Sequence, residues 1–185
     1  MRFLAILAAA ILATPVAAQD MPEGFATGPV FEDFGPHVAV EGIPTFPRPT
    51  AFRHSFDVAR RADEGTRNRG FESAARFVNM HAANGIDPSR IHTAVVVHGS
   101  AVLDLLTDEA LAARPREEGE AAASNGSAVM VRAMLDHGVR FIVCGQSATA
   151  QGVTADDLIP GVEMALSAMT AHALLQQQGY TVNPF

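Results

Sequence analysis

The order of apolar segments constrains the fold of this chain more than any other feature. Beyond residue 50, short runs with the composition of buried strands alternate with longer segments whose apolar residues recur at helical spacing. The run Ile91–Val97 is almost continuously apolar, as expected of a central strand in a parallel sheet. Because parallel strands need crossover connections, this alternation predicts an α/β fold, with a doubly wound parallel sheet of about five strands and helices on both faces.

Turn residues divide this part of the chain into individual elements. Strands are predicted over residues 52–59, 91–97, 139–143, 162–166 and 180–185. Helical segments are predicted from about 70 to 84, then over 100–106, 125–137, 146–151, 154–159 and 167–178. The charged, alanine-rich residues 107–124 are predicted to be a surface excursion. In open parallel sheets, ligands bind outside the carboxyl ends of the strands, so the residues that end each strand are the first to consider for function.

The first 18 residues have the features of a secretory signal peptide. Arg2 is followed by a short apolar run, and Val16-Ala17-Ala18 is a small-residue cleavage pattern before Gln19. This apolar run is too short to span a bilayer, and no later run is longer. We therefore expect an exported protein that resides in the periplasm, without a membrane anchor.

Residues 19–50 differ in composition from the rest of the chain. Six prolines and four glycines exclude a long helix or a central strand here, yet several large apolar residues lie between them. We interpret this segment as an extended arm that lies over its own domain or over a neighbouring subunit. Residues 51–185 then form one α/β domain.

Charge and motif content narrow the classes of function. The chain has 13 basic and 20 acidic residues, a formal net charge of −7, and no basic cluster, so nucleic acid and anionic membranes are poor candidate partners. All the basic residues are arginine, which excludes lysine Schiff-base and P-loop chemistry. The sequence also lacks the glycine-rich dinucleotide motif, the nucleophile elbow of hydrolases and the usual zinc spacings. No cofactor and no metal site is predicted.

Cys144, the single cysteine, is the leading candidate for a reactive group. It ends a predicted buried strand, and Gly145, Gln146 and Ser147 then form a tight turn into a predicted helix. A thiol at a helix N-terminus faces unpaired N–H groups and the positive end of the macrodipole, which favour the nucleophilic thiolate. The alternative is a small buried residue without chemistry, since free cysteine is among the most buried residue types.

Further polar residues follow the neighbouring strands. His98, a candidate acid–base partner of Cys144, ends the central strand, with Gly99 next and Ser100 as a predicted helix cap. Asp57, late in the first strand, either orients His98 or only solvates the strand end. Asn68 and Arg69 precede a helix, where they either bind an anion or have only the ordinary roles of capping and solvation. His98 can pair with Cys144 only if the strands that they end are neighbours in the sheet, which the predicted topology favours.

Several short segments together resemble the DsrE/DsrF-like sulfur-relay family, and in particular its exported branch. They are Val95-Val96-Val97-His98-Gly99, Val143-Cys144-Gly145-Gln146-Ser147, Leu158-Ile159-Pro160-Gly161-Val162, Ala165-Leu166-Ser167-Ala168-Met169-Thr170 and Leu175-Gln176-Gln177-Gln178-Gly179-Tyr180, with Gly28-Pro29-Val30 in the arm. The resemblance covers nearly all of the chain after residue 18. It implies a parallel α/β sheet, a trimeric or hexameric homo-oligomer, and a cysteine, here Cys144, that carries sulfane sulfur as a persulfide. It also implies protein partners that donate or accept that sulfur.

Three hypotheses of function follow from the sequence. The first is an exported sulfur carrier or sulfurtransferase-like protein that uses Cys144, with His98 tuning charge or proton transfer. The second is a non-catalytic oligomeric module that binds a ligand or partner, with a structural cysteine. The third is a copper-thiolate or other metal site that uses Cys144 and His98 from several subunits.

Overall fold

The computed structural model describes residues 21–115 and 124–183, which form seven strands and five α-helices. The strands are β1 (Phe25–Ala26), β2 (His37–Val38), β3 (Phe52–Val58), β4 (Ile91–Val97), β5 (Arg140–Cys144), β6 (Glu163–Ala165) and β7 (Thr181–Asn183). The helices are α1 (Arg69–Ala83), α2 (Asp108–Ala112), α3 (Ala128–Asp136), α4 (Gly145–Ala150) and α5 (Ala168–Gln177). Short 3-10 helices cover Pro88–Arg90, Gly99–Leu105 and Ala155–Asp157.

Strands β3 to β7 form one five-stranded sheet in the order β6-β5-β4-β3-β7, and every neighbouring pair in it is parallel. Helices cover both faces of this sheet, so the predicted doubly wound α/β fold is confirmed. The observed strands differ from the predicted ones only at their ends. The fifth, for example, starts at Thr181, because Tyr180 is buried against α5 instead of extending the strand.

The predicted cap at Ser100 is wrong. The short helix there is a 3-10 helix that begins at Gly99, with His98 as its N-cap residue. The N–H of His98 donates to the carbonyl of Val58 at 2.9 Å, so the hydrogen bonding between β3 and β4 continues up to the first residue of the helix. The Ser100 hydroxyl instead bonds the neighbouring β3–α1 loop, donating to the Ala59 carbonyl at 3.4 Å.

The two faces of the sheet carry very unequal cores. Side chains alternate along each strand, so Val95, Val97, Phe141 and Val143 enter a large cluster beneath α1 and α3, which we call the α1 face. The opposite side, the α5 face, has a small core of Ala94, Val96, Ile142, Ala171, Leu175 and Tyr180. By the same alternation, Cys144 falls on the α5 face with Ile142, two residues before it.

The described part of the predicted arm packs on its own domain. Strands β1 and β2 pair in a small antiparallel sheet, and between them Phe31 and Phe34 are buried and stacked with ring centroids 5.0 Å apart. The buried Asn79 amide of α1 fixes this segment through its backbone. It accepts from the N–H groups of Val30 and Phe31 and donates to the carbonyls of Phe31, Phe34 and Gly35.

Two sequence predictions concern residues that the structure describes in part or not at all. The signal peptide predicted at residues 1–18 lies outside the described residues. The predicted excursion at 107–124 begins with α2, and its centre lies outside the described residues. Among the helices of the described part, none is both long enough and apolar enough to cross a membrane.

Candidate functional site at the carboxyl edge of the sheet

Cys144 lies at the junction between β5 and α4. It is the last residue of the strand and the N-cap residue of the helix, with extended backbone angles. Only 5% of the residue is exposed to solvent. The sequence-predicted strand–turn–helix placement of this thiol is therefore present in the structure.

Neighbouring N–H and hydroxyl donors lower the pKa of the Cys144 thiol despite its burial. Burial alone raises this pKa, but the Ser147 hydroxyl and the N–H groups of Ser147, Ala168 and Gln146 outweigh it. Gln146 and Ser147 belong to the first turn of α4, whereas Ala168 is the first residue of α5. The thiol thus lies beside the N-termini of two helices, both of which favour the thiolate.

Glycine is needed on both sides of this edge because the backbone of other segments comes very close. A Cβ at Gly145 would lie 2.7 Å from the Ala165 carbonyl oxygen on the neighbouring strand. A Cβ at Gly99 would lie 2.8 Å from the Ala59 carbonyl oxygen, and Gly99 also has a left-handed φ of 53°. These contacts keep the ends of β3, β4, β5 and β6 tightly apposed.

Polar side chains of α4 and of its C-cap residue, Gln151, form hydrogen bonds with the segments that follow the neighbouring strands β4 and β6. The N–H of Gly99 donates to the Ser147 hydroxyl at 3.1 Å, and the Gln151 amide donates to the Gly99 carbonyl at 2.7 Å. On the other side, the Gln146 amide donates to the Leu166 carbonyl at 3.3 Å. These bonds fix α4, and so the donors around the sulfur, with respect to both neighbouring strands.

Asp57 forms hydrogen bonds with two histidines beside this turn, and we call Asp57, His98 and His172 the Asp57 cluster. Its Oδ2 lies 3.1 Å from Nε2 of His98, and its Oδ1 lies 2.8 Å from Nε2 of His172. Desolvation raises the pKa of the Asp57 carboxyl, but the hydrogen bonds and charges of the two imidazoles lower it more, so the net pKa is lowered. A carboxylate accepts from both rings, so each Nε2 carries a hydrogen.

His98 and Cys144 lie at the same edge of the sheet without a mutual hydrogen bond. Val97 pairs with Val143, which makes His98 and Cys144 the next residues along two adjacent strands. Among the described residues, however, the side-chain partner of the His98 ring is Asp57. The structure therefore brings His98 and Cys144 to one edge and pairs His98 with Asp57.

His172 belongs to this cluster, and the sequence analysis did not include it. It lies on α5 one turn beyond Ala168, the residue whose N–H faces the Cys144 sulfur. Its Nδ1 is buried and has no partner among the described residues. A sequence signal did exist, because His172 interrupts the apolar stripe formed by Ala168, Ala171 and Leu175.

Asn68 has a structural role in a separate network on the α1 face. Its Oδ1 accepts from the N–H groups of Gly70 and Phe71 and so caps α1, while its Nδ2 donates to Asp104 at 2.7 Å. Burial raises the pKa of the Asp104 carboxyl, and bonds from Asn68, the Ala62 N–H and Arg61 only partly offset this. Of the two alternatives for Asn68, the structure shows the helix cap.

The described residues contain no group of three or more histidine, cysteine, aspartate or glutamate side chains arranged to hold a metal ion. Within one protomer, the Asp57 cluster and Cys144 are hydrogen-bonding groups and not a preformed metal site.

The chain belongs to the DsrE/DsrF-like family, whose model matches residues 55–184. This span contains most of β3, all of β4 to β7, Cys144 and the cluster of Asp57, His98 and His172. No curated protein matches the chain. The family assignment therefore rests on the family model.

Two solved structures are similar to this chain. One is a protein of unknown function, MTH1491 from Methanobacterium thermoautotrophicum, which is 21% identical with a TM-score of 0.48, over 72% of this chain and 99% of that one. The other is the ychN protein from E. coli, which is 18% identical with a TM-score of 0.47, over 72% of this chain and 100% of that one.

Proposed function

We propose that this protein is an exported sulfur carrier or sulfurtransferase-like protein in which Cys144 accepts sulfane sulfur and passes it on as a persulfide. The observation that carries the proposal is the position of Cys144 at the carboxyl end of β5 and at the N-terminus of α4, where neighbouring N–H and hydroxyl donors lower the pKa of its thiol. An inert core cysteine has no need of such donors. Membership of the DsrE/DsrF-like family supports the same chemistry.

The transfer involves two sulfur exchanges of the same kind. The Cys144 thiolate attacks the outer sulfur of a donor persulfide R–S–SH, a new S–S bond forms, and the donor's S–S bond breaks to release R–S⁻. Cys144 is thereby oxidised to Cys–S–SH and the donor is reduced to its thiolate, so charge and electrons balance. An acceptor thiolate then attacks the outer sulfur of the Cys144 persulfide and regenerates the Cys144 thiolate.

The Asp57 cluster supplies the positioning in this proposal. Asp57 fixes the orientation of both rings, because its two carboxylate oxygens accept from Nε2 of His98 and Nε2 of His172. We therefore assign His98 and His172 positioning roles, with Cys144 as the catalytic residue.

The 5% exposure of Cys144 favours a narrow approach to the sulfur. Such an approach suits a small donor and shields a bound persulfide from other thiols. The same burial is also the observation that favours the second candidate function, a non-catalytic binding module with a structural cysteine.

Intact-mass analysis of the native protein separates the two candidates. After exposure to polysulfide, we expect a gain of one sulfur that is absent from Cys144→Ser. Alkylation across a pH series should show a thiol that titrates below an ordinary cysteine. A thiol that neither gains sulfur nor reacts until the protein is unfolded would refute the carrier and support the binding module.

We also propose that the protein is a homo-oligomer that uses the edge of β6 and the outer side of α5. Four large apolar side chains are exposed there, and the edge strand β6 leaves backbone groups open to pairing. They are Met164, Leu166, Met169 and Leu174, with Met169 80% exposed. Light scattering should show a trimer or hexamer for the wild type and a smaller species for Met169→Glu. A wild-type monomer would refute this assembly.

Export to the periplasm is a proposal based on the apolar N-terminal sequence. Expression of the full chain in a Gram-negative host should give a periplasmic protein whose mass begins at Gln19. An uncleaved protein in the cytoplasmic fraction would contradict it.

A further inference from the structure

A cleft of about 700 Å³ lies at the carboxyl edge of the sheet, between the end of β3 and the start of α1. Its walls are formed mainly by the loop that joins these two elements. The volume is within the range of small-molecule sites, about 300–1,000 Å³, and this edge is where parallel α/β sheets bind ligands. The reaction described above makes no use of this cleft.

The cleft is rich in positive charge within an acidic protein. Arg60, Arg61, Arg67 and Arg69 are among the residues that line it, together with the carboxylates of Asp57 and Asp63. The whole chain has a formal net charge of −7. Two of the four guanidinium groups lie beside carboxylates of Asp104 and Glu72, so the groups that favour an anionic ligand are those of Arg60 and Arg69.

Two of these arginines are engaged by the fold and two are not. Arg61 lies 3.6 Å from Asp104, and Arg67 donates to the Asp33 carbonyl at 2.9 Å. Within residues 21–115 and 124–183, the guanidinium groups of Arg60 and Arg69 have no hydrogen-bond or ion-pair partner. The nearby end of α1 is already capped by Asn68, so the arginine side chains of the cleft with no partner of their own among the described residues are Arg60 and Arg69.

Asp57 connects the cleft to the sulfur site. It lines the cleft and bonds His98 at the end of the adjacent strand β4, and Cys144 ends the next strand, β5. Neighbouring strands are about 4.8 Å apart, so β3 and β5 are separated by roughly 10 Å. A molecule of tripeptide size anchored in the cleft can therefore extend along the sheet edge toward Cys144.

We propose that the cleft binds the anionic end of the sulfane-sulfur donor, a low-molecular-weight persulfide that carries two carboxylates. Arg60 and Arg69 each pair with one carboxylate, and the persulfide extends past Asp57 to the Cys144 thiolate. The attack and the release of R–S⁻ are those already described, so this inference rests on the proposed function. The released thiol keeps its carboxylates and leaves from the same cleft.

Binding of an unreactive probe tests the cleft without sulfur transfer. S-methylglutathione, a tripeptide with two carboxylates, should bind the full-length mature protein, and the double variant Arg60→Gln/Arg69→Gln should weaken binding roughly tenfold, since exposed ion pairs are individually weak. The matched control is Arg76→Gln/Arg90→Gln, which removes the same charge outside the cleft. Unchanged binding in the first variant, or an equal loss in both, would overturn the proposal.

The rate of Cys144 persulfidation tests the role in transfer. With glutathione persulfide, the Arg60→Gln/Arg69→Gln variant should load Cys144 about tenfold more slowly than wild type, whereas the persulfide of glutathione dialkyl ester should load both at one rate. An equal loss with both donors would overturn the proposal. Failure of wild type to load from either donor would refute the proposed function, and the probe titration would still decide whether the cleft binds dicarboxylates.

Discussion

The two faces of the sheet differ in what their side chains do. The α1 face buries a large apolar cluster under α1, α3 and the Gly99–Leu105 helix. The α5 face has a small apolar core under a single helix and carries Cys144, Asp57, His98 and His172 at its carboxyl end. Most of the apolar surface that stabilises the fold is therefore buried on one face, and the candidate chemistry is on the other.

This division shows how one sheet can hold polar groups at its edge without weakening its core. Side chains alternate along β4 and β5, so each strand contributes to both faces at once. The α1 face supplies the packing that holds the strand ends in place. The α5 face can then hold Cys144 and, beside it, a carboxylate that bonds two histidines.

We expect the largest effect from a leucine-to-alanine substitution, and its size should differ between the two faces. Leu105 and Leu175 are both almost fully buried, on the α1 face and the α5 face respectively. We expect Leu105→Ala to lower the free energy of unfolding by about 4–5 kcal/mol and Leu175→Ala by about 2–3 kcal/mol, because α5 can settle onto the sheet. Urea unfolding measures both, and an equal or reversed order would break the comparison.

A smaller loss of stability is expected from Gly145→Ala. Its Cβ would approach the Ala165 carbonyl oxygen to 2.7 Å, so β6 or α4 must shift, which costs roughly 1–3 kcal/mol. The control is Thr149→Ala on the same helix, where an exposed side chain is removed. Thermal unfolding of both variants checks this, and a neutral Gly145→Ala would show that the strand ends are not tightly apposed.

Two aspartates should contribute with opposite signs to the change of the unfolding free energy with pH. The Asp57 pKa is lowered in the folded protein, so its stabilisation is present above the ordinary carboxyl pKa and is lost as the pH falls through the folded value. The Asp104 pKa is raised, so its contribution is favourable below the ordinary value and is lost as the pH rises through the folded one.

Substitution of each aspartate by asparagine separates these contributions. Across about pH 3 to 6, Asp57→Asn should make the unfolding free energy rise less steeply with pH than in wild type, and Asp104→Asn should make it rise more steeply. Chemical denaturation at each pH gives both slopes. Parallel curves for the two variants would contradict the opposite environments of these carboxyls.

The smallest effect concerns the thiol itself. Ser147→Ala removes one of the donors that lower the Cys144 pKa, so this pKa should move upward. The pH dependence of alkylation measures it, with Thr149→Ala on the same helix as the control. The unfolding free energy should fall by only about 1 kcal/mol, because the Gly99 N–H loses its acceptor while the packing on the α1 face is unchanged. A Cys144 pKa that stays at the wild-type value would show that Ser147 does not stabilise the thiolate.

The sequence predicted the sheet because its signal is local. A nearly continuous apolar strand such as Ile91–Val97 and the helical spacing around α1 need no knowledge of distant contacts. The position of Cys144 between β5 and a helix was predictable for the same reason, since strand, glycine turn and helix follow each other directly.

Asp57 as a partner of His98 was one of two alternatives that the sequence offered, and the 3.1 Å bond between them agrees with it. The contacts made by α5 could not be predicted, because they depend on contacts between distant parts of the chain. His172 lies more than a hundred residues after Asp57, and only the packing of α5 on the sheet brings their side chains to 2.8 Å. The Ala168 N–H at the sulfur has the same origin. Ser100 was misplaced as a cap because the bonds from β3 to the β4 end are also non-local.

Asn79 illustrates how one side chain can determine the placement of a whole segment. Its amide both accepts and donates, and it matches two N–H groups and three carbonyls of the arm at once. Conversion to aspartate, which is the product of spontaneous deamidation, keeps the shape but replaces the donor with a second acceptor. Three arm carbonyls would then face a carboxylate, so this slow chemical ageing of a single side chain would release Phe31 and Phe34 from the core while leaving the sheet and Cys144 intact.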